Sequence, residues 1–97
     1  MFIISITYTK SIPEVDALMT PHREYLQRYF DSGVFVLAGR KVPRSGGVIL
    51  VNNMERAKIE SIVAEDPFFT GDVASFEITE FVPSMTAEIF AGFLSAS

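Results

Sequence analysis

The single histidine of the chain, His22, is the residue best suited to proton-transfer chemistry. An imidazole titrates near neutral pH, so it can act as a general base or a general acid in a pocket. Helical spacing places His22 on the same face as Leu18 and Leu26, which predicts that the imidazole points toward the apolar interior. A buried neutral histidine that bonds only to the backbone gives the same pattern, so both interpretations stay open.

Pro21 predicts an irregular backbone just before this histidine. A proline inside a helix removes the amide that would bond the carbonyl of Ala17, and its ring crowds that turn. Either the helix bends here, or a new helix begins with Thr20 as its N-cap and Pro21 as its first residue. Both outcomes place His22 at a backbone irregularity, which is a common setting for functional side chains.

Asp66 is a second inward-facing polar residue, because helical spacing from Ile59 and Ile62 carries it onto the apolar side. A carboxylate at the C-terminal end of a helix opposes the helix dipole, and such broken local rules are typical of functional sites. Asp66 equally fits the N-cap of a following turn that begins with Pro67. If Asp66 met His22, it would fix the tautomer of the imidazole and make its other nitrogen a better base.

The segment Arg44-Ser45-Gly46-Gly47 is a third feature that could contact a ligand. A basic side chain beside free loop amides can bind a carboxylate or a phenolate. An ordinary hairpin loop with solvated charges has the same composition, and the glycines lack the spacing of a dinucleotide-binding or phosphate-binding loop. Phe68, which follows Asp66-Pro67, is predicted to be a core aromatic residue or to line the pocket.

The apolar patterns predict the order βαββαβ followed by a short C-terminal helix. The predicted strands are Phe2 to Tyr8, Val34 to Ala38, Val48 to Val51 and Val73 to Val82. The predicted helices run from Ser11 to about Ser32 and from Glu55 to Glu65 with Asn53 as its cap, and the third lies in the extension 84–97. This is the α+β, ferredoxin-like arrangement of a four-stranded antiparallel sheet with both helices on one side, and residues 1–97 are predicted to form one domain.

The second and third predicted strands are apolar on both faces, although no helix of the ferredoxin-like unit covers the outer face of the sheet. Water would penalise that surface at about 25 cal/mol per Å². The simplest remedy is a second copy packed face to face. The sequence therefore predicts a homodimer through the open sheet face, with the C-terminal helix docked by its apolar side and helping to hold the pair.

Composition limits the functional classes. The 97 residues carry a net charge of −4 and no cysteine. Disulfides and thiolate chemistry are thus excluded, a built-in metal site is not expected, and nucleic acid is disfavoured as a partner. No apolar stretch reaches the length of a membrane span, and the apolar N-terminus lacks the basic start and cleavage site of a signal peptide. We expect a cytoplasmic protein that handles small molecules.

Several segments together resemble the YCII-related (YciI-like) family. They are Pro21-His22-Arg23, Leu37-Ala38-Gly39, Val42 to Ile49, Ala64 to Phe68 and Glu77 to Phe81. The resemblance extends over roughly Met1 to Pro83, and the ordered set is more specific than any one motif. It departs from the family pattern at Arg40, where the family commonly has proline, and it does not include the tail.

The resemblance implies a dimeric α/β barrel in which His22 and Asp66 match the family's proposed active-site pair. One type of member is a dehydrochlorinase that acts on a chlorinated hydroxyhydroquinone. The leading hypothesis is therefore a cofactor-free enzyme, of a lyase or an isomerase type, that transfers protons on a small anionic or aromatic molecule. His22 would be the base or acid, Asp66 its orienting partner, and Arg44, Ser45, Gly46 and Phe68 substrate contacts.

Two other classes stay open at the level of the sequence. In the first, the domain binds small molecules without catalysis, and the histidine and the aspartate form a structural pair. In the second, the chain is an interaction subunit that uses its C-terminal helix and has no pocket. No serine or threonine has the G-x-S-x-G setting of an activated nucleophile, so covalent catalysis is not supported.

Overall fold

A computed structural model describes residues 1–94, and its centre is one antiparallel sheet. The strands are Phe2–Tyr8 (β1), Phe35–Arg40 (β2), Gly46–Val51 (β3) and Ala74–Glu80 (β4). Their order in the sheet is β2-β3-β1-β4, and every neighbouring pair is antiparallel. The predicted α+β, ferredoxin-like topology is confirmed, and each strand lies within two residues of its predicted ends.

The two faces of the sheet follow the alternation of β1. Phe2, Ile4 and Ile6 are buried on the inner face, whereas Ile3 on the outer face is 38% exposed. The inner face packs against the helices and forms the core with buried apolar residues from every layer. A register irregularity between Phe35 and Leu37 leaves one extra residue in β2 and keeps the rest of that strand in phase with β3.

The predicted first helix consists of two helices, Ile12–Asp16 (α1) and Met19–Asp31 (α2). The predicted cap Ser11 is confirmed for α1, because its hydroxyl accepts a hydrogen bond from the Glu14 amide at 3.4 Å. The prediction of Thr20 as the cap of a new helix is wrong, since Leu18 holds that position. Pro21 is the third residue of α2, where a missing amide costs nothing because first-turn amides have no acceptor within the helix.

Two short helices follow the sheet's β3, namely Arg56–Val63 (α3) and Pro67–Thr70 (α4). Glu55 is the N-cap of α3 and bonds no amide through its side chain, so the prediction of Asn53 as the cap is wrong. Asn53 lies too far ahead of the first turn, and its own amide donates to the side chain of Asn52 at 2.7 Å. Helix α3 ends before Glu65, and the chain turns to begin α4 with Asp66 as its cap.

The tail differs most from its prediction. Glu88–Phe93 form a 3₁₀ helix without a buried residue, and Ile89 is 83% exposed. The last three residues of the predicted extension 84–97 lie outside the described part. A 3₁₀ helix has three residues per turn, so the apolar spacing that would form one stripe on an α-helix is spread around it. Only Phe90 and Phe93 share a side, and the prediction of a helix docked by one apolar face is wrong.

No helix within residues 1–94 combines the length and the apolar character needed to cross a membrane.

Candidate active site

Helix α2 and the turn before α4 bring together the histidine and the aspartate that the sequence singled out. The Nδ1 atom of His22 lies 2.8 Å from Oδ1 of Asp66. The exposed fractions are 7% for His22 and 1% for Asp66. A buried carboxylate at this distance accepts a hydrogen from Nδ1, which leaves Nε2 as the unprotonated nitrogen of a neutral imidazole.

Asp66 is held in place by its own backbone as well as by the histidine. Its Oδ1 atom also accepts the amide of Phe68 at 2.9 Å, which is the N-cap bond of α4. Both sequence interpretations of Asp66, the cap and the partner of His22, are therefore found in one residue. Its other oxygen, Oδ2, is buried without a hydrogen-bond partner in the described chain. Burying a carboxylate oxygen without a partner carries a desolvation cost.

Phe68 fixes the plane of the imidazole. The two rings are stacked, with 3.8 Å between their centroids and an angle of 5° between their planes. Phe68 is itself 1% exposed and meets Tyr8 edge-on at 5.9 Å. Phe68 thus lies behind the histidine and is not among the residues that line the cavity described next.

A cavity of about 420 Å³ lies between α2 and the sheet, and His22 forms part of its wall. His22 lines this cavity, and its Nε2 atom has no hydrogen-bond partner within residues 1–94. We infer that Nε2 is the nitrogen that faces the cavity. Alternation places Ala38 and Gly47 on the inner face of β2 and β3, where their small size leaves room under α2. The remaining apolar wall consists of Ile6, Met19, Leu26 and Ile49.

The predicted ligand contacts in the hairpin take different positions. Arg44 and Gly46 line the cavity, whereas Ser45 does not. The carbonyl oxygen of Ser45 instead accepts a hydrogen bond from the amide of Tyr8 at 2.8 Å, and this bond joins the hairpin to β1. The guanidinium of Arg44 hydrogen-bonds to Asp16, and this bond, followed by the charge of Asp16, raises the pKa of Arg44. Arg44 is therefore already paired.

Three charged residues of the wall were not predicted as ligand contacts: Asp16, Arg23 and Arg40. Arg23 could have been found because it directly follows His22. Arg40 could have been found because it continues the alternation of Ala38 along β2. Nothing in the sequence indicates the pairing of Asp16 with Arg44, which joins residues 28 positions apart.

Tyr25 supports the site from inside the core. Its hydroxyl donates a hydrogen bond to the carbonyl oxygen of Ile62 at 2.7 Å. This bond joins α2, which carries His22, to α3, which precedes Asp66. Burial, followed by the negative charge of Asp66, raises the pKa of Tyr25 above its ordinary value. The phenol therefore stays protonated at neutral pH and keeps donating this bond.

Comparison with known proteins identifies the family. A family model described as the YCII-related domain matches residues 1–82. The chain belongs to the YCII-related family. A search of curated proteins finds no significant match to its sequence.

Among solved structures, this YCII-related domain is similar to a dehydrochlorinase from Burkholderia phenoliruptrix AC1100. That enzyme acts on 5-chloro-2-hydroxyhydroquinone and was solved in complex with 2,5-dihydroxybenzoquinone. The two structures superpose with a TM-score of 0.67 at 12% sequence identity, and the match covers 84% of this chain and 93% of the other. At this identity the likeness shows a common fold.

Proposed function

We propose that this YCII-related domain is a cytoplasmic enzyme that transfers protons on a small anionic or aromatic molecule, with His22 as the general base. The observation that carries the proposal is that His22 lines a cavity while its Nδ1 atom is bonded to a buried carboxylate. Asp66 is a positioning residue, because it acts through the imidazole and does not line the cavity. The solved dehydrochlorinase with a quinone bound supports the choice of substrate class.

The arrangement suits an elimination. In such a step a C–H or O–H bond of the substrate breaks and its proton passes to Nε2. The electron pair left behind forms a new double bond, and the leaving group departs with the pair of its own bond, so a chlorinated substrate loses one HCl. The charge of Asp66 stabilises the imidazolium that forms, and the stacked Phe68 keeps Nε2 directed into the cavity.

The proposal is tested by two measurements on the same probes. We expect 2,5-dihydroxybenzoquinone to shift the ring signals of His22 in an NMR titration, because this residue is the only histidine. We also expect release of chloride from 5-chloro-2-hydroxyhydroquinone, slowed about 10²- to 10⁴-fold by His22→Ala, since a positioned general base contributes about that factor.

Two results would contradict this function. Unperturbed His22 signals would show that the cavity does not bind a quinone-like ligand. Equal chloride release by wild type and His22→Ala would show that His22 is not the general base. Binding of the quinone without chloride release by wild type would favour the non-catalytic binding domain.

We also propose that the protein is a homodimer through the outer face of the sheet. Ile3, Leu37 and Val48 surround Leu50 on that face and are 36–48% exposed. Beside them lies a second cavity of about 400 Å³, lined by Leu37 and Leu50 of the sheet and by Phe90 and Phe93 of the tail. A second copy would remove this apolar surface from water.

Sedimentation equilibrium is expected to give twice the mass of one chain for wild type and the mass of a monomer for Leu37→Glu, because a buried unpaired charge opposes association. Val42→Glu is the matched control, since Val42 is 92% exposed in the β2–β3 loop and should leave the dimer intact. A monomeric wild type, or a dimer that survives Leu37→Glu, would exclude this interface.

A further inference from the structure

The wall of the active-site cavity is positively charged in an acidic protein. Three arginines and one aspartate line it, which leaves two net positive charges, whereas the whole chain carries −4. A concave site of one sign inside a molecule of the other sign concentrates its field where a ligand would bind. The cavity is therefore suited to an anion.

The pairing of the arginines identifies which of them are available. Of the five arginines, Arg28, Arg44 and Arg56 form ion pairs with carboxylates. Arg23 and Arg40 form neither an ion pair nor a side-chain hydrogen bond within residues 1–94. Both of these line the cavity. The two arginines that have no pairing partner within residues 1–94 are exposed residues that line the same cavity as the histidine.

Their positions place them on opposite walls. Arg23 belongs to α2, which forms the roof of the cavity, and directly follows His22. Arg40 ends β2 opposite Gly47 of β3, on the face that carries Ala38. Gly47 has no side chain to compete for the space in front of Arg40. An anionic group between the two walls would receive charge-assisted hydrogen bonds from both guanidinium groups.

We propose that Arg23 and Arg40 bind the carboxylate of a small organic acid whose uncharged part extends to Nε2 of His22. This rests on the proposed function of the cavity and names its substrate class and specificity-determining residues. The apolar wall, including Met19 and Leu26, contacts the body of the acid. Arg44 has a different role, because its guanidinium is engaged by Asp16.

The test measures binding of benzoate and of benzamide, its neutral isostere, by calorimetry and by the NMR shift of His22. Wild type is expected to prefer benzoate, with an affinity that falls as salt rises. Arg23→Gln and Arg40→Gln should each weaken the binding of benzoate about tenfold and leave the binding of benzamide unchanged, since one charge-assisted hydrogen bond is worth about that factor. Arg56→Gln changes the net charge equally at a distant ion pair and is the matched control.

Each outcome decides the proposal. No preference of wild type for benzoate over benzamide would overturn it, as would an equal loss of benzoate affinity in Arg56→Gln. A loss of benzoate affinity in Arg44→Gln that exceeds the losses in Arg23→Gln and Arg40→Gln would also overturn it, because Arg44 would then be the residue that binds the carboxylate.

The His22→Ala variant separates this proposal from the catalytic one. If the arginines bind the carboxylate, that variant keeps its preference for benzoate over benzamide even where it loses turnover. Turnover that persists in His22→Ala would exclude His22 as the general base and would not contradict the carboxylate site.

Discussion

Replacing Asp66 by asparagine is expected to lower the turnover number about 10²- to 10⁴-fold, because the amide cannot stabilise an imidazolium as a carboxylate does. If the amide oxygen takes the place of Oδ1, both hydrogen bonds survive but the negative charge beside His22 is lost. If the amide nitrogen takes that place, it donates to Nδ1 and forces the proton onto Nε2, so no base faces the cavity. The first orientation weakens Nε2 as a base, and the second removes it.

The same substitution also affects stability. The second oxygen of Asp66 is buried without a partner in the described residues, and an NH₂ group at that position would bury two donors. Unsatisfied buried donors cost about 1–3 kcal/mol each, so the free energy of unfolding should fall. The activity is therefore measured under conditions in which the folded fraction of the variant has been verified by circular dichroism.

The control for Asp66→Asn is Asp72→Asn. Asp72 lies just after α4, is exposed, and has a φ of 55°, which asparagine tolerates. It should match wild type in turnover and in stability. Nitrogen NMR of the single imidazole reports its tautomer, which a purely structural role of Asp66 would not change selectively. Wild-type turnover in Asp66→Asn, with Nδ1 still protonated, would exclude Asp66 as the positioning residue.

Replacing Gly46 by alanine is expected to reduce the free energy of unfolding by about 3 kcal/mol or more, at the upper end of overpacking effects. A Cβ atom at this position would lie 1.7 Å from the carbonyl oxygen of Ile6 and 2.7 Å from its carbonyl carbon. These are backbone atoms of β1, so relief of the clash requires β1 and β3 to separate. The pairing that forms the cavity floor would be disturbed as well.

The control for Gly46→Ala comes from the same hairpin. A Cβ atom added at Gly39 meets no atom within 4 Å, so Gly39→Ala should change the stability by about 0.5 kcal/mol or less. Urea denaturation measures the free energy of unfolding of both variants. The slope of that free energy against urea concentration shows whether the unfolded state has changed. Equal midpoints for Gly46→Ala and wild type would show that β1 and β3 do not approach as described.

The glycines illustrate how the sequence and the fold assign different roles. The segment Arg44-Ser45-Gly46-Gly47 predicted a basic side chain and free loop amides that could bind an anion. In the structure Gly46 is a buried residue of β3 that lets β1 approach, and Gly47 leaves the inner face open. The two glycines therefore belong to a strand and not to a loop.

The pair of His22 and Asp66 could be predicted from the sequence because each residue breaks a local pattern. A polar side chain on the apolar face of each predicted segment indicates an interior position, and two such residues need each other in a medium that penalises unpaired groups. The stacking on Phe68, the direction of Nε2 and the size of the cavity depend on how α2, α4 and the sheet pack. Local spacing contains none of that information.

The sequence by itself determined the order of the strands and the inward direction of His22, and it offered the capping position as one of two roles for Asp66, because side-chain period and capping are properties of a few neighbouring residues. Only the tertiary structure decided that Arg44 pairs with Asp16, while Arg23 and Arg40 line the cavity without an ion-pair partner within residues 1–94. It also decided that the tail forms a 3₁₀ helix instead of an apolar stripe. These outcomes depend on which distant groups meet, and the energy of a charge or an apolar side chain is set by those neighbours.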